Sequence, residues 1–267
     1  MRIGTVLTAT DLNPLYCDFI PMFIRAWTIL FPEIDVIIIL IADSVPDNLS
    51  EFSKYIRCHK PIPGIHTAFQ AQCVRLLYPQ IIERNEGVLI TDMDMLPMNR
   101  FYYEDAIKTI PDDTFVCYRD VCLPTELPIC YNVAIPSVWK AMFRGETLES
   151  WYEGTHYDGN HGGTGWSTDQ LILIKKFNEY SGIKIILNDS VTKYNRLDRA
   201  YSSHFADMHE LRRKISSGLY SDYHCLRPHS EHQDTNNFIV DSLAIRPPHV
   251  VTSVRKKRGI VPWLNYK

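Results

Sequence analysis

The stretch GVLITDMDMLP, at positions 87–97, decides the fold of this 267-residue chain. Its uninterrupted apolar run predicts a buried strand, and the run ends in two carboxylates, Asp92 and Asp94. Because strand side chains alternate between faces, residues two apart project to the same side of a sheet. Ligands of open α/β sheets bind at the carboxyl ends of the strands, and paired carboxylates suit a divalent cation. The pair therefore indicates either a metal-diphosphate site or a solvated turn, which is the commoner role of an Asp-x-Asp.

The segments before this stretch alternate between strand and helix patterns. Residues 3–9 and 36–41 have the apolar, β-branched composition of central strands that are covered on both faces. Helical spacing predicts helices over 15–31 and 66–84, and Pro21 either kinks the first helix or marks its first turn. A β-α-β-α-β order predicts parallel strands with right-handed crossovers. The fold class is α/β.

Beyond the acidic pair the patterns are shorter. They predict, in order, strand 114–118, strand 130–135, helix 136–144, helix 168–180, strand 184–187 and helix 207–216. Residues 153–165 have the glycine-rich, polar composition of a mobile loop, and long loops in α/β enzymes often serve the site. From Gln233 onward the periodicity fades.

Composition and charge exclude several classes of function. The formal net charge of −3 lacks the basic excess of a nucleic-acid binder, so we expect no nucleic-acid partner. Seven cysteines without a Cys-x-x-Cys pair suggest reduced thiols rather than a zinc ribbon or a disulfide framework. We find neither a signal-peptide pattern nor an apolar run of membrane-spanning length, and we expect a soluble, cytoplasmic protein.

Three further groups of residues could join the acidic pair. Gln72 and Arg75 lie one helical turn apart in the segment that precedes the strand, so they share a helix face. Asp169 falls in the first turn of the helix after the glycine-rich segment, where Ser167 or Thr168 would be the N-cap. A later stretch, HCLRPH at positions 224–229, offers imidazoles for a metal and a guanidinium for phosphate.

In this order, the residues resemble the GT-A glycosyltransferases, and loosely their family-8-like branch, over roughly positions 3–232. The resemblance implies a single domain over 1–267 with a Rossmann-like, nucleotide-sugar-binding half at about 1–100 and an acceptor-side half at about 101–232. Its central sheet would be mixed, mostly parallel and flanked by helices, and residues 233–267 would form a C-terminal extension. The implied reaction moves a hexosyl or pentosyl group from a nucleoside-diphosphate sugar, with a UDP-sugar favoured, to a hydroxyl of a glycan or other acceptor.

The resemblance also implies a metal centre with Mn²⁺ (or Mg²⁺) on the donor diphosphate. Asp92 and Asp94 would hold the ion, and Asp94, as the second carboxylate, would be the direct and catalytic ligand. His224 would complete the metal shell. Its spacing to Arg227 is shorter than the usual pattern, which leaves His229 as the alternative.

The remaining roles follow from the same resemblance. The nucleotide-sugar contacts would be Thr8, Ala9, Thr10, Asp11, Tyr16, Gln72, Arg75, Asp92 and Arg227. Tyr16 could stack on uracil. The alternative roles are helix initiation for residues 8–11 and a surface ion pair for Arg75.

Asp169 would act on the acceptor hydroxyl, as general base in an inverting enzyme or as a positioning group in a retaining one. The family-8-like pattern favours retention. The alternative role of Asp169 is to stabilise the helix dipole, which is worth a few tenths to about 1 kcal/mol. Both roles can hold together. His161, Trp166 and Gln170 would line the sugar subsite, although a buried Trp166 is the competing interpretation.

Two other classes of protein compete with this interpretation. A phosphohydrolase of the haloacid dehalogenase type also carries Asp-x-Asp after a strand, but that strand is normally the first of its core. A non-catalytic carbohydrate-binding protein could keep the same fold. The basic run of Arg255, Lys256, Lys257 and Arg258 indicates a solvated tail or a contact to an anionic acceptor.

Overall fold

The structure is a computed structural model that describes residues 1–244. The basic run at 255–258, and with it most of the predicted C-terminal extension, lies outside the described residues. Within 1–244 the strands form two sheets, one of seven strands and one of three.

The strands of the larger sheet are β1 (Ile3–Asp11), β2 (Asp35–Ile41), β3 (Ile56–His59), β4 (Gly87–Ile90), β6 (Phe115–Cys117), β7 (Asn132–Ala134) and β8 (Lys184–Ile186). The smaller sheet contains β5 (Met95–Pro97), β9 (Arg196–Asp198) and β10 (Asp222–His224). The larger sheet has the order β3-β2-β1-β4-β7-β6-β8. Only β7 runs antiparallel to its neighbours, so the predicted mixed, mostly parallel sheet is confirmed.

The helices are α1 (Pro14–Cys17), α2 (Ile20–Leu30), α3 (Thr67–Leu77), α4 (Arg100–Glu104), α5 (Pro136–Phe143), α6 (Leu148–Glu153), α7 (Thr168–Glu179), α8 (Asp189–Thr192), α9 (Met208–Ser216) and α10 (Gln233–Leu243). Short 3-10 helices cover Asp47–Tyr55, Tyr78–Ile81, Ser202–Phe205 and His229–Glu231. Among residues 1–244, no helix combines the length and the apolar character needed to cross a membrane.

The core lies against β1, whose residues before Asp11 are all buried. Its register pairs Val6 with Val36 of β2 and with Leu89 of β4, so β1 is a central strand with parallel neighbours on both sides. Buried apolar side chains on both faces explain why its sequence is continuous rather than alternating. The carboxyl ends of β1 and β4 therefore lie side by side.

Proline sets two helix boundaries. The predicted helix over 15–31 is divided into α1 and α2, and Pro21 lies in the first turn of α2, where its missing N–H costs nothing. The predicted helix over 66–84 stops at Leu77 as α3, and the chain continues as a 3-10 turn that contains Pro79.

The local geometry predicted for the acidic pair is wrong. β4 ends at Ile90, so Asp92 and Asp94 lie in the turn between β4 and β5 rather than on a strand. The chain leaves the larger sheet there because β5 pairs with β10 of the smaller one. The position of the two carboxylates at the end of β4 is therefore set by the turn, and not by the alternation of side chains along a strand.

The structure also differs from the sequence prediction at α10. Its buried positions are Asn236, Ile239, Val240, Ser242 and Leu243, and all of these except Ser242 keep regular helical spacing. The pattern fades in the sequence because two of the buried positions, Asn236 and Ser242, are polar. Asn236 is accommodated by accepting a hydrogen bond from Tyr223 Oη and donating one to the Leu226 carbonyl.

Candidate active site

A cavity of about 530 Å³ opens at the carboxyl ends of β1 and β4. It is lined by every predicted site residue except two. These lining residues are Ala9, Thr10, Asp11, Tyr16, Gln72, Arg75, Asp92, Asp94, His161, Trp166, Asp169, Gln170, His224 and Arg227. The edge of the sheet expected from the sequence therefore does gather them into one site.

Thr8 and His229 are not brought to the cavity. Thr8 is fully buried within β1. The His229 ring lies 5.3 Å from the ring of Phe19, and its Nδ1 is 3.3 Å from the side-chain nitrogen of Asn236. Of the two histidines considered for the metal shell, only His224 faces the cavity.

Asp94 is surrounded by three cationic or imidazole groups. Arg199 Nη1 donates to its Oδ2 over 2.7 Å, while Arg227 Nη1 and His224 Nε2 lie 3.4 and 3.6 Å from the same oxygen. The Asp94 side chain is only 5% exposed. Burial alone would raise its pKa, but the neighbouring imidazole and the two guanidinium groups hold the pKa well below its usual range. Asp94 is therefore ionised at neutral pH.

The smaller sheet fixes this arrangement. β10 pairs antiparallel with β5 so that His224 lies opposite Met95, and Cys225 N donates to the Asp94 carbonyl over 2.9 Å. β9 pairs parallel with β10, which places Asp198 opposite His224, 3.3 Å from its Nδ1. An acidic partner on Nδ1 orients the imidazole so that Nε2 faces Asp94.

The donor set fits a hard divalent ion. The carboxylates of Asp92 and Asp94 and the imidazole of His224 face one cavity, and oxygen with one nitrogen is a ligand set that Mn²⁺ accepts. In the described part of the chain, no three His, Cys, Asp or Glu side chains already converge as a metal site. Each carboxylate forms an ion pair with an arginine, Asp94 with Arg199 and Asp92 with Arg75.

A buried guanidinium joins Asp92 to Asp169. Arg75, 5% exposed, donates from Nη1 to Asp92 and from Nη2 to Asp169 Oδ2, the latter over 3.0 Å. The alternative of a surface ion pair for Arg75 is therefore wrong. Burial raises the pKa of Asp169 to about 6, and the charge of Asp92 adds to this while Arg75 opposes it.

Asp169 also serves the start of α7. Its Oδ1 accepts from Gln170 N over 2.9 Å, whereas the N-cap residue Ser167 makes no side-chain capping bond. Thr168 Oγ1 donates to the Gly165 carbonyl instead. One carboxylate oxygen thus stabilises the helix start and the other binds Arg75, so the helix-start role of Asp169 leaves its second oxygen directed toward the guanidinium on the cavity wall.

The glycine-rich segment reaches the cavity with the side chain of His161, which contacts residues on two of its sides. The His161 ring stacks on Trp166, with centroids 4.5 Å apart and planes at 17°. Its Nε2 lies 3.2 Å from Tyr16 Oη and 3.1 Å from Arg227 Nη2. Burial and the charge of Arg227 lower the pKa of His161, which favours the neutral ring that can accept these bonds. Gly165 has φ of +78°, and a side chain there would contact the His156 carbonyl at 2.7 Å.

On the β1 side of the cavity, the Asp11 carboxylate is already hydrogen-bonded and the Gln72 carbonyl is unpaired. Asp11 accepts from Thr67 Oγ1 over 2.8 Å and from Asn13 N over 3.1 Å. Gln72 Oε1 is buried and accepts no hydrogen bond from the described residues. Because buried carbonyl oxygens normally find a donor, this atom is a natural acceptor for a ligand hydroxyl.

Sequence reasoning missed the arginines that follow the predicted strand at 184–187. Arg196 and Arg199 line the cavity from β9 and the residue after it, and Arg119 lines it from the end of β6. Charged residues in a run such as RLDR normally indicate a solvent-exposed face. Only the pairing of β9 with β10 turns them toward the site.

The fold and the cavity at its strand ends define the class of structure. This is the GT-A fold of glycosyltransferases, as predicted, and the solved structure of a glycosyltransferase shares it. No family model matches the chain, and no curated protein matches it in sequence.

Three solved structures illustrate the similarity. The glycosyltransferase GlyE of Streptococcus pneumoniae TIGR4 is 12% identical with a TM-score of 0.52, over 90% of this chain and 63% of GlyE. The galactosyltransferase LgtC, solved with donor and acceptor sugar analogues, is 13% identical with a TM-score of 0.47, over 91% and 97%. A glycosyltransferase involved in glycosylation of the major capsid of PBCV-1 is 9% identical with a TM-score of 0.48, over 89% and 99%. The chain spans less than two thirds of GlyE, and these identities establish a shared fold alone.

Proposed function

We propose that this protein is a metal-dependent glycosyltransferase that moves a sugar from a nucleoside-diphosphate sugar, with UDP favoured, to an acceptor hydroxyl. The observation that carries the proposal is the surroundings of Asp94. A nearly buried carboxylate, beside an imidazole and two guanidinium groups, lies at the strand ends of a glycosyltransferase fold. This is the chemistry that a diphosphate and its counter-ion require.

The nucleotide would lie at the end of β1. Ala9, Thr10 and Asp11 line that side of the cavity, and the Tyr16 ring, half-buried beside them, offers an aromatic face for a base. The free carbonyl of Gln72 would accept a hydroxyl hydrogen from ribose or sugar.

Asp92, Asp94 and His224 would hold Mn²⁺ or Mg²⁺. When bound, the ion would supply Lewis-acid stabilisation of the charge that develops on the leaving diphosphate. Arg199 and Arg227 lie within 2.7 and 3.4 Å of Asp94 and would be released to donate to phosphate oxygens. The same arginines therefore balance Asp94 without the donor and the diphosphate with it.

Asp169 and Gln170 would face the reacting sugar and the acceptor. With its pKa near 6, the Asp169 carboxylate is ionised at neutral pH and can accept a hydrogen bond or a proton from the acceptor hydroxyl. Arg75 holds it by one oxygen and fixes its direction. In an inverting reaction Asp169 would be the general base, and in a retaining reaction it would position the substrates.

Loop 153–165 would cover the donor and exclude water. His161 already contacts Tyr16 on one side of the cavity and Arg227 on the other. A closed loop protects an activated sugar from hydrolysis. The stacked pair of His161 and Trp166 would offer an aromatic surface to a pyranose ring.

The pairing of Asp92 disfavours the phosphohydrolase alternative. In that class the first Asp is the nucleophile and must be free to attack phosphorus. Here Asp92 is bound by the buried Arg75, which also holds Asp169. The non-catalytic alternative gains no specific support from the cavity.

The test is a thermal-shift panel of nucleoside diphosphates and UDP-sugars with and without Mn²⁺, followed by an assay for released UDP. We expect stabilisation by one nucleotide class that requires Mn²⁺, because a ligand that binds only the native state raises the unfolding temperature by mass action. UDP release that EDTA leaves undiminished would contradict the metal-dependent reaction. Hydrolysis of a phosphomonoester without nucleotide binding would identify the phosphohydrolase instead.

A further inference from the structure

A second group of arginines lines the cavity beside the residues assigned to the donor. Arg119, at the end of β6, and Arg196, at the start of β9, both face the cavity. The Tyr194 ring holds them together, with guanidinium carbons 3.5 and 5.4 Å from its centroid. We call Arg119 and Arg196 the arginine wall.

Each member of the arginine wall is anchored by a carboxylate that does not line the cavity. Arg119 Nε donates to both oxygens of Asp189, over 2.9 and 3.0 Å. Arg196 binds Asp222, which is fully buried, through Nε over 3.0 Å and Nη2 over 2.9 Å. These bonds fix the direction of both guanidinium groups, so the cations are held in place instead of moving into solvent.

Arg119 keeps an unused donor edge. Its Nη1 and Nη2 donate to no group among residues 1–244, although the residue is only 9% exposed. A guanidinium presents its donors as a planar fork that matches two oxygens of a carboxylate or a phosphate. Arg119 is nine-tenths buried and is anchored through Nε, and its free Nη groups face the cavity. This arrangement is suited to bind an oxyanion without rearrangement.

The chain segment that carries Arg119 leads to the helix start that carries Asp169. The chain from Arg119 to Cys130 continues as an apolar lining of Val121, Pro128 and Ile129, which suits the face of a sugar ring. The same segment reaches the first turn of α7, where Leu127 N donates to the Gln170 carbonyl over 3.5 Å. Arg119 therefore belongs to the segment that contacts the helix start carrying Asp169.

We propose that Arg119, supported by Arg196, binds an oxyanion of the acceptor, so that the acceptor is an acidic sugar bearing a carboxylate or a phosphate ester. This inference rests on the proposed glycosyl transfer. The fork favours an oxyanion over a neutral hydroxyl because two parallel hydrogen bonds need two oxygens on one group.

The test compares acceptors that differ only in the charged group. Methyl glucoside, methyl glucuronoside and a sugar 6-phosphate are offered with a fixed UDP-sugar to the wild type, Arg119→Gln, Arg119→Lys and the surface control Arg213→Gln. We compare kcat/KM for the acidic acceptor with kcat/KM for the neutral one. Arg119→Gln should reduce this ratio by about tenfold, because the variant loses a charge-assisted bidentate contact. Arg119→Lys keeps the charge and the fold but loses the fork, so it should lose most of this ratio.

Each other outcome has a defined meaning. A rise in donor KM that matches the rise in acceptor KM would assign Arg119 to the donor diphosphate and overturn the proposal. A wild type that prefers the neutral acceptor would overturn it as well. Preference between carboxylate and phosphate identifies the source of the oxyanion.

A binding measurement separates this proposal from the proposed function. Saturation-transfer NMR with methyl glucuronoside and methyl glucoside needs no turnover. Binding of the glucuronoside that Arg119→Gln abolishes would support the oxyanion site even if no UDP-sugar were consumed. Equal signals from both glycosides in a protein that does turn over a UDP-sugar would refute the oxyanion site alone.

Discussion

Arg75 donates to Asp169 Oδ2 over 3.0 Å from one terminal nitrogen and to Asp92 from the other. The two carboxylates come from different elements, the turn after β4 and the first turn of α7. A single buried cation therefore couples the proposed diphosphate side of the site to the proposed acceptor side. Loss of this cation would leave the buried Asp169 carboxylate and the partly exposed Asp92 carboxylate without their counter-ion.

Replacing Arg75 should lower stability far more than replacing an exposed arginine. We expect Arg75→Met to reduce the free energy of unfolding by about 3–5 kcal/mol, because it leaves buried charge uncompensated. Arg25→Met is the matched control, since Arg25 pairs with Asp241 with both side chains about half exposed, and it should cost about 0–1 kcal/mol. Urea denaturation of both variants measures the difference. Equal losses would show that the coupling of the two carboxylates is not structural.

The pH dependence of transfer should report Asp169. Its pKa is raised to about 6, so the carboxyl is protonated below that pH and ionised above it. If the ionised form accepts a hydrogen from the acceptor, kcat/KM should rise as pH increases through about 6 and level off above it. Asp169→Asn should remove this step. A wild-type profile that is flat from pH 5 to 7 would contradict the assignment.

The same carboxyl should affect stability in a defined direction. A carboxyl with a raised native pKa binds a proton in the native state between about pH 4, its usual value when unfolded, and about pH 6. Its contribution to the free energy of unfolding is therefore greatest below pH 4 and decreases as pH rises toward 6. Comparing urea unfolding of wild type and Asp169→Asn at pH 4 and pH 7 isolates this contribution. A contribution of the opposite sign would mean that the carboxyl is ionised more easily in the folded protein.

Asp94→Asn should remove metal-dependent turnover. The change preserves the size of the side chain but removes the charge that faces Arg199, Arg227 and His224. We expect UDP release to decrease at least about a hundredfold, the scale of one lost metal ligand. Asp35→Asn, on an exposed pair with Arg84, should leave turnover unchanged. Circular dichroism checks that both variants fold, and full activity in Asp94→Asn would refute the metal centre.

His161→Ala should weaken donor binding and loosen the loop. The variant loses the contacts to Tyr16 and Arg227 and the stacking on Trp166. We expect donor KM to rise about fivefold, equivalent to about 1 kcal/mol for one lost hydrogen bond. Hydrogen exchange over 153–165 should also become faster. His156→Ala changes an exposed histidine of the same loop, and an equal effect there would indicate general loop damage.

The larger sheet was predictable because its signals are local. β1, β2 and β4 are runs of buried apolar residues that indicate strands without knowledge of their partners. Their parallel order followed from the helices between them. The grouping of Gln72, Arg75 and Asp92 followed in turn, because helix spacing and strand ends are local properties too.

The smaller sheet could not be predicted in this way. β9 and β10 are short and mostly polar, with the sequences RLD and DYH, and β5 is a three-residue piece that ends at Pro97. Their pairing brings together segments that are far apart in the sequence. For this reason the turn geometry of Asp94, the contact of Arg199 and the choice of His224 over His229 became visible only in the structure.

The pairing of Met95 with His224 has a consequence for biosynthesis. During translation, β1, β2 and β4 leave the ribosome early and can form parallel neighbours while synthesis continues. Asp94 acquires its imidazole and guanidinium neighbours only after the chain beyond residue 227 has emerged. A nascent chain or a product of premature termination thus has the strand ends of the proposed donor site without the charges that complete it.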